Sequence, residues 1–369
     1  MKVLVVGAGV MGHGISEVIA ISGYEVYLSD ISQDILSSAI QKIKWSLDKL
    51  YEKGQLKERA EEVLRRIKPI VGLTSEVREA EFAIEAVPEK IELKREVFSK
   101  LEELLPKNAI LSTNTSSIPI TEIASGLKYK ERVIGTHFFN PPVIMQLVEI
   151  IRGEKTSDET VKFTYEFITK LGKKPILVNK DIPGFVVNRI LLRMITTACM
   201  LIEKSIADYK TIDAVVRYKL GLPMGIFELV DYTSVDVNYY VISAMMERGF
   251  KAYPCKTLED MVKRGELGVK SGKGFYTYPE KKYVKVNLSK DLADKLNPLY
   301  IIASAINEAN WMIKQGIVSS NDIDIAVKLG LSFPKGITDY VKEFGVSNIK
   351  KALEELKQIS GIEEYTFLY

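Results

Sequence analysis

Apolar residues fall along the first half of the chain in short runs of strand length. Val3 to Val6 opens it, followed by the helical spacing of Ile15, Val18 and Ile19, and then by the run Glu25 to Ser29 that ends at Asp30. Further runs occur at Phe82 to Val87, Ala109 to Ser112, Val133 to Thr136, Met145 to Ile151 and Pro175 to Val178. Helical patterns separate several of them, notably Ile91 to Leu105 and Glu159 to Leu171. This alternation predicts a mostly parallel, doubly wound sheet. Such sheets bind ligands at the carboxyl ends of their strands, and Asp30, Ser112 to Ser117 and His137 all fall there. The stretch from Gln41 to Pro69 breaks the alternation with two helical patterns carrying nine Lys/Arg against five Asp/Glu. It reads either as a solvated helical hairpin or as a basic arm meeting a phosphorylated substrate.

After Asp181-Ile182-Pro183-Gly184-Phe185 the strands stop and long helical patterns begin, so Pro183-Gly184 marks a domain boundary. Residues 202–225 then match 313–336 without gaps at an offset of 111. The identical pairs are Ile202/Ile313, Ile206/Ile317, Ile212/Ile323, Asp213/Asp324, Val216/Val327, Leu220/Leu331, Pro223/Pro334 and Gly225/Gly336. The period is that of a small domain, not of a solenoid unit. Between the copies, Gly268 to Tyr276 reads as a glycine-rich turn into a short hairpin.

With 369 residues the chain is too long for one ordinary core, and 46% apolar with 27% charged residues is a globular composition. A net charge of +3 with interspersed signs argues against a nucleic-acid surface. No apolar run approaches the roughly 20 residues of a membrane span, and no signal peptide is visible, so the expected location is cytoplasmic. Cys199 and Cys255 are too few for a disulfide framework and lack metal-ligand spacing, so they read as ordinary small residues.

Two motifs carry chemistry. Gly7-Ala8-Gly9-Val10-Met11-Gly12 lies between the first strand and a helix, and Asp30 ends the next strand. Strand, G-x-G-x-x-G, helix, strand and acid form a dinucleotide-binding unit. Gly7 permits the turn, Gly9 lets backbone approach a pyrophosphate, Gly12 lets helix and strand pack, and the helix N-terminus faces the negative charge. Asp30 would accept from ribose hydroxyls and repel a 2′-phosphate, which favours NAD over NADP. The second motif is Gly135 to Pro142 with Leu147 to Ile151. It holds His137, one of only two histidines, and Glu149 inside an apolar run. Histidine both takes and gives a proton near neutral pH, and a carboxylate against its ring fixes the tautomer. The other histidine, His13 in the glycine loop, reads as a bystander.

Asn114-Thr115-Ser116-Ser117, His137-Phe138-Phe139-Asn140, Leu147-Val148-Glu149 and Pro183-Gly184-Phe185-Val186-Val187-Asn188-Arg189 together resemble the L-3-hydroxyacyl-CoA dehydrogenases, from residue 1 to about residue 280. The resemblance implies NAD as cofactor, an acyl-CoA substrate and a role in β-oxidation. It makes His137 the general base, Glu149 its partner, and Ser116 and Asn188 the hydrogen-bond donors to the substrate oxygen. Glu89, Lys94, Asn140 and Lys270 match cofactor contacts, and Ser46 and Lys53 on the basic arm match contacts to coenzyme A. The expected fold is an α/β Rossmann-type doubly wound sheet followed by a mostly α-helical region made of two repeated domains. The domains would be 1–182 with the arm at 41–69, a catalytic helical domain at 183–280, and a second copy at 281–369. Leu299 stands in the copy where Asn188 stands in the original, so the copy is expected to be structural and to take the place of a dimer partner, giving a monomer or weak oligomer. Multifunctional relatives carry a hydratase segment that this chain lacks, so association with a separate enoyl-CoA hydratase is a further expectation. Two rivals stay open: a dehydrogenase of another β-hydroxy acid or sugar acid, and a non-catalytic NAD-binding structural protein.

Overall fold

The computed structural model describes residues 1–366 and divides by its contacts into two compact units, Met1–Phe185 and Val186 onward. The first unit has the strands β1 (Lys2–Val6), β2 (Glu25–Asp30), β3 (Ile67–Val71), β4 (Phe82–Glu85), β5 (Ile110–Thr113), β6 (Val133–Phe138), β7 (Leu147–Arg152) and β8 (Lys174–Val178). Its helices are α1 (Val10–Ile21), α2 (Gln33–Glu52), α3 (Ala60–Leu64), α4 (Ile91–Leu104), α5 (Ile120–Ile123) and α6 (Asp158–Lys170). The strands form one sheet in the order β3-β2-β1-β4-β5-β6-β7-β8. All neighbours pair in parallel except β6 with β7, so β7 and β8 run against the rest. The runs Val3 to Val6 and Phe82 to Glu85 are wholly buried, as expected for strands covered by helices on both faces.

Two features of this unit depart from the sequence reading. The basic stretch does not begin at Gln41 as a separate arm. It belongs to a single helix, α2, that starts after Ser32, whose hydroxyl caps the Ile35 amide at 3.4 Å. Leu36, Ala39, Ile43 and Leu47 recur at helical spacing and sit buried in the core of the sheet domain. One face of the arm is therefore anchored and the other is solvated. The stretch also ends in strand rather than helix, because Ile67–Val71 is an edge strand paired with β2. With Lys68 and Pro69 exposed on it, β3 is short and proline-bearing, as edge strands often are, which hides its two-residue period.

The second unit is helical: α7 (Val187–Glu203), α8 (Tyr209–Tyr218), α9 (Ile226–Thr233), α10 (Val235–Glu247), α11 (Lys256–Lys263), α12 (Leu299–Lys314), α13 (Ser320–Gly330), α14 (Ile337–Phe344) and α15 (Val346–Ser360). The offset of 111 carries α7 to α10 onto α12 to α15. It also carries their joints: Ser234 and Gly345, both at positive φ (88° and 77°), separate the last two helices of each copy. Asp213 accepts from the amides of Phe227 and Glu228 at 2.8 and 2.9 Å, and Asp324 accepts from the Thr338 amide at 3.1 Å. The copies pack through α7 against α12 and lie in the same unit.

The glycine-rich stretch between them forms isolated bridges, Gly268 with Lys273 and Lys273 with Thr277, in place of the expected hairpin. The amides of Phe275 and Tyr276 turn instead to the Asp231 carboxylate, at 3.0 and 2.9 Å, so they are lost to a strand ladder. The reading of the cysteines is also corrected. Cys199 on α7 and Cys255 before α11 form a disulfide across a Cα–Cα distance of 5.5 Å and a sequence separation of 56. Helix packing brings them together, and linear spacing carries no trace of it. Among the described residues no helix is long and apolar enough to cross a membrane.

Candidate active site

The dinucleotide motif folds as its residues dictate. Gly7 turns the chain out of β1 at φ +98°, where a Cβ would come within 2.7 Å of the Ala86 carbonyl. A Cβ on Gly12 would overlap the Gly7 carbonyl, so helix and strand could not approach as they do. Gly9 caps α1 with no side chain bonded to its amides, and nothing lies within 4 Å of where its Cβ would be. Clear space beside a helix N-terminus suits a pyrophosphate. Asp30 ends β2 next to this loop, and its Oδ2 accepts from the Ala8 amide at 2.8 Å. The residues present fit NAD. His13 turns its Nδ1 to the Gly9 carbonyl at 2.7 Å, and burial lowers its pKa.

The histidine–carboxylate pair sits farther along the same sheet. His137 and Glu149 are directly opposed in the antiparallel β6·β7 ladder, so their side chains share a face. Reversal of chain direction at β7 is what places a carboxylate beside the carboxyl end of β6. His137 Nδ1 lies 2.7 Å from Glu149 Oε2, with the carboxylate fully buried and the ring nearly so. A proton on Nδ1 is held by that carboxylate, which leaves Nε2 as the basic nitrogen. Phe139 and Phe185 flank the ring at centroid distances of 4.6 and 6.1 Å. The turn between the strands contains a cis Asn140–Pro141 bond, and Lys173 pins it through the carbonyls of Pro142 and Met145. Asn140 itself is exposed on that turn.

Between these two motifs lies a network that the sequence showed only in part. Glu89 Oε1 accepts from the Thr115 hydroxyl at 2.6 Å, from the Ser116 and Ser117 amides at 3.0 and 3.1 Å, and from the Ser117 hydroxyl at 3.1 Å. The Ser116 hydroxyl stands 3.4 Å from the same oxygen. Lys94 is buried and meets both Glu85 Oε1 at 2.9 Å and Glu89 Oε2 at 3.1 Å. Glu85, fully buried, also accepts from Thr113 Oγ1 and the Val87 amide, each at 2.7 Å. Asn114 accepts from the Phe138 amide at 2.8 Å and so ties this loop to the strand of His137. Glu89 and Lys94 thus hold the loop that presents Ser116. Glu85, Asn114 and Lys173 are additions to the sequence reading. Glu85 ends an otherwise apolar strand just as Glu149 interrupts one, and that shared pattern was the available signal.

The remaining predicted residues are placed separately. Ser46 is half-buried on α2, and its hydroxyl meets Glu17 of α1. Lys53 is exposed at the C-terminal cap of α2. In the second unit Asn188 is the second residue of α7 and half-buried, and Leu299 is the first residue of α12 and buried. Lys270 is paired with both oxygens of Asp236 at 2.6 Å.

A glycine loop at a helix N-terminus, an acid closing the next strand and a histidine–carboxylate pair along the same sheet define an NAD-dependent oxidoreductase. Comparison with known proteins narrows the class. The family model for the 3-hydroxyacyl-CoA dehydrogenase NAD binding domain matches residues 2–182. The model for that family's C-terminal domain matches twice, at 184–278 and 300–367. The chain belongs to the 3-hydroxyacyl-CoA dehydrogenase family. It is 39% identical over 280 residues to the 3-hydroxybutyryl-CoA dehydrogenase of Bradyrhizobium diazoefficiens, covering 75% of this chain and 95% of that one. It is 30% identical to the 3-hydroxyadipyl-CoA dehydrogenase of Escherichia coli, covering 98% and 95%. The crystal structure of the 3-hydroxybutyryl-CoA dehydrogenase of Escherichia coli K12 superposes with a TM-score of 0.90 at 29% identity, covering 100% of this chain and 96% of that one. Some relatives thus match one helical copy's length and others match both.

Proposed function

We propose that the chain oxidises short-chain (S)-3-hydroxyacyl-CoA thioesters, 3-hydroxybutyryl-CoA among them, to 3-oxoacyl-CoA with NAD, reversibly. The carrying observation is the His137 Nδ1–Glu149 Oε2 bond of 2.7 Å, which leaves Nε2 to take a proton. NAD, when bound, supplies the hydride acceptor. His137 removes the 3-hydroxyl proton through Nε2 as hydride departs from C3, and the charge that forms on the ring is held by Glu149. Ser116 and Asn188 donate to the oxygen as it becomes a ketone. Glu89 and Lys94 keep the Ser116 loop in place, and Asn140 and Lys270 serve the nucleotide. Asp30 selects NAD over NADP, since a carboxylate at the ribose repels a 2′-phosphate. Ser46 and the exposed Lys53 meet the coenzyme A moiety, and a free β-hydroxy acid would have no use for them. The second helical copy stands in for a dimer partner, and the chain works in the cytoplasm beside an enoyl-CoA hydratase.

The test is a rate series over acyl-CoA chain length with NAD and NADP, including 3-hydroxyadipyl-CoA and free 3-hydroxybutyrate. The expected pattern is fast turnover of the short thioester with NAD and none of the free acid. His137→Gln should lower kcat by at least about 10², and near-normal turnover in that variant would overturn the mechanism.

A further inference from the structure

The two copies meet at a buried ion cluster that runs in one direction only. Glu308, on α12, takes Arg189 Nε on Oε1 at 2.7 Å, and Arg193 Nε and Nη2 on Oε2 at 3.0 and 2.7 Å. Both guanidinium groups come from the first two turns of α7, and all three side chains are at least nine-tenths buried. The Arg189 guanidinium also lies 4.7 Å from the ring centres of both Phe250 and Trp311, and Arg193 donates to the Lys251 carbonyl at 2.8 Å. A pair of equivalent copies would repeat this arrangement on the other side. The offset of 111 puts Tyr300 and Ser304 where the arginines would be and Thr197 where the glutamate would be. The copy that has lost the amide at position 299 therefore supplies the anchor, and the helix that carries Asn188 receives it.

We infer that Glu308 is a positioning residue for Asn188: it fixes the start of α7, so that the amide next to Arg189 is held at the distance its role requires. The inference rests on the functional reading of Asn188 given above. Two side chains anchored on one carboxylate constrain both the rotation and the axial position of the helix, whereas either alone would leave one of these free. An error of a fraction of an ångström in a group that orients substrate is enough to slow turnover severalfold or more. It also gives the second copy a role in catalysis beyond covering apolar surface.

The test is a double-mutant cycle on the full chain. Glu308→Gln keeps the shape but removes the charge, and should lower kcat about tenfold while leaving the dissociation constant for NADH unchanged. In an Asn188→Ala background the same substitution should cost less than about twofold, because the group it positions is gone. Glu308→Asp, which keeps the charge on a shorter arm, should fall between the two, and it serves as the probe if Glu308→Gln does not fold. Equal losses in both backgrounds would overturn the inference, as would full activity in folded Glu308→Gln or Glu308→Asp. If the unmutated chain does not oxidise 3-hydroxyacyl-CoA at all, the functional reading fails instead, and that outcome is distinct.

Discussion

The two helical copies share a skeleton and differ in nearly everything attached to it. Each keeps an aspartate that holds the start of its third helix, Asp213 at α9 and Asp324 at α14. Around the first aspartate the chain adds a buried polar layer: Tyr276 donates to Asp213, Tyr278 to Asp231 and Tyr283 to Glu228. The matching positions in the second copy are Asp324, Lys342 and Asp339. The first copy has a disulfide, and the second has Asn310 and Thr366 in place of the two cysteines. Under the proposed function, the first copy carries Asn188 for the chemistry, and the second, with Leu299 at the matching position, gives support. Backbone caps survive because any stable copy needs them, and function is free to drift once a single site suffices.

The largest difference between the copies in stability should come from the disulfide. A crosslink closing a loop of this length is worth roughly 4 kcal/mol by the chain-entropy estimate. Reduction, or replacing Cys199 and Cys255 by Ser, should therefore lower the thermal midpoint by many degrees while leaving kcat at low temperature near normal. An unchanged midpoint on reduction would show that the bond adds nothing to the first copy.

Next in size is the asymmetry of the site. Asn188→Ala should lower kcat by about 10², or roughly 2.7 kcal/mol. Leu299→Ala, the same position in the second copy, should change kcat less than about twofold and act on stability alone, at about 2–3 kcal/mol for a buried leucine. Comparable kinetic losses in the two variants would abolish the distinction between a catalytic and a supporting copy.

These contrasts also show which parts of the molecule were legible in the sequence. The mostly parallel, doubly wound sheet, the glycine loop and the His137–Glu149 pair are legible because each rests on local periodicity or on a short motif. Twelve residues separate His137 from Glu149, and a turn plus a two-residue period puts them opposite each other. Ser116 follows from its motif, but the hold of Glu89 on its loop does not, because a hydrogen bond spanning 27 residues leaves no mark on the sequence. The disulfide, the Glu308 cluster and the Glu85–Lys94 pair are further cases. The disulfide and the Glu308 cluster depend on how helices pack across 56 and 119 residues. The repeat disclosed that two copies exist, but not that α7 lies against α12. The edge strand β3 is hidden for a local reason, since a proline and a lysine on a five-residue strand mask its alternation.

The smallest expected effect belongs to the aspartate of the first copy. Burial pushes the Asp213 carboxyl up to about 7, against the opposing bonds from the Phe227 amide, the Tyr276 hydroxyl and the Glu228 amide, and the nearby Glu228 carboxylate adds to the rise. A carboxyl whose pKa rises on folding holds a proton in the native state that the unfolded chain, near 3.8, has already given up. Its contribution is full below about pH 4 and is lost as pH climbs through 7, so stability falls with rising pH across that window. Asp213→Asn keeps the shape and cannot ionise, so it should flatten that part of the stability–pH profile. The variant should lose about 1 kcal/mol near pH 5 and less at pH 8, where the unmutated protein must carry a buried charge. Asp324→Asn should cost a similar amount near pH 5, through its weakened cap. Denaturant midpoints measured at pH 5, 6.5 and 8 would decide. Parallel profiles for Asp213→Asn and the unmutated chain would mean that Asp213 is ionised throughout.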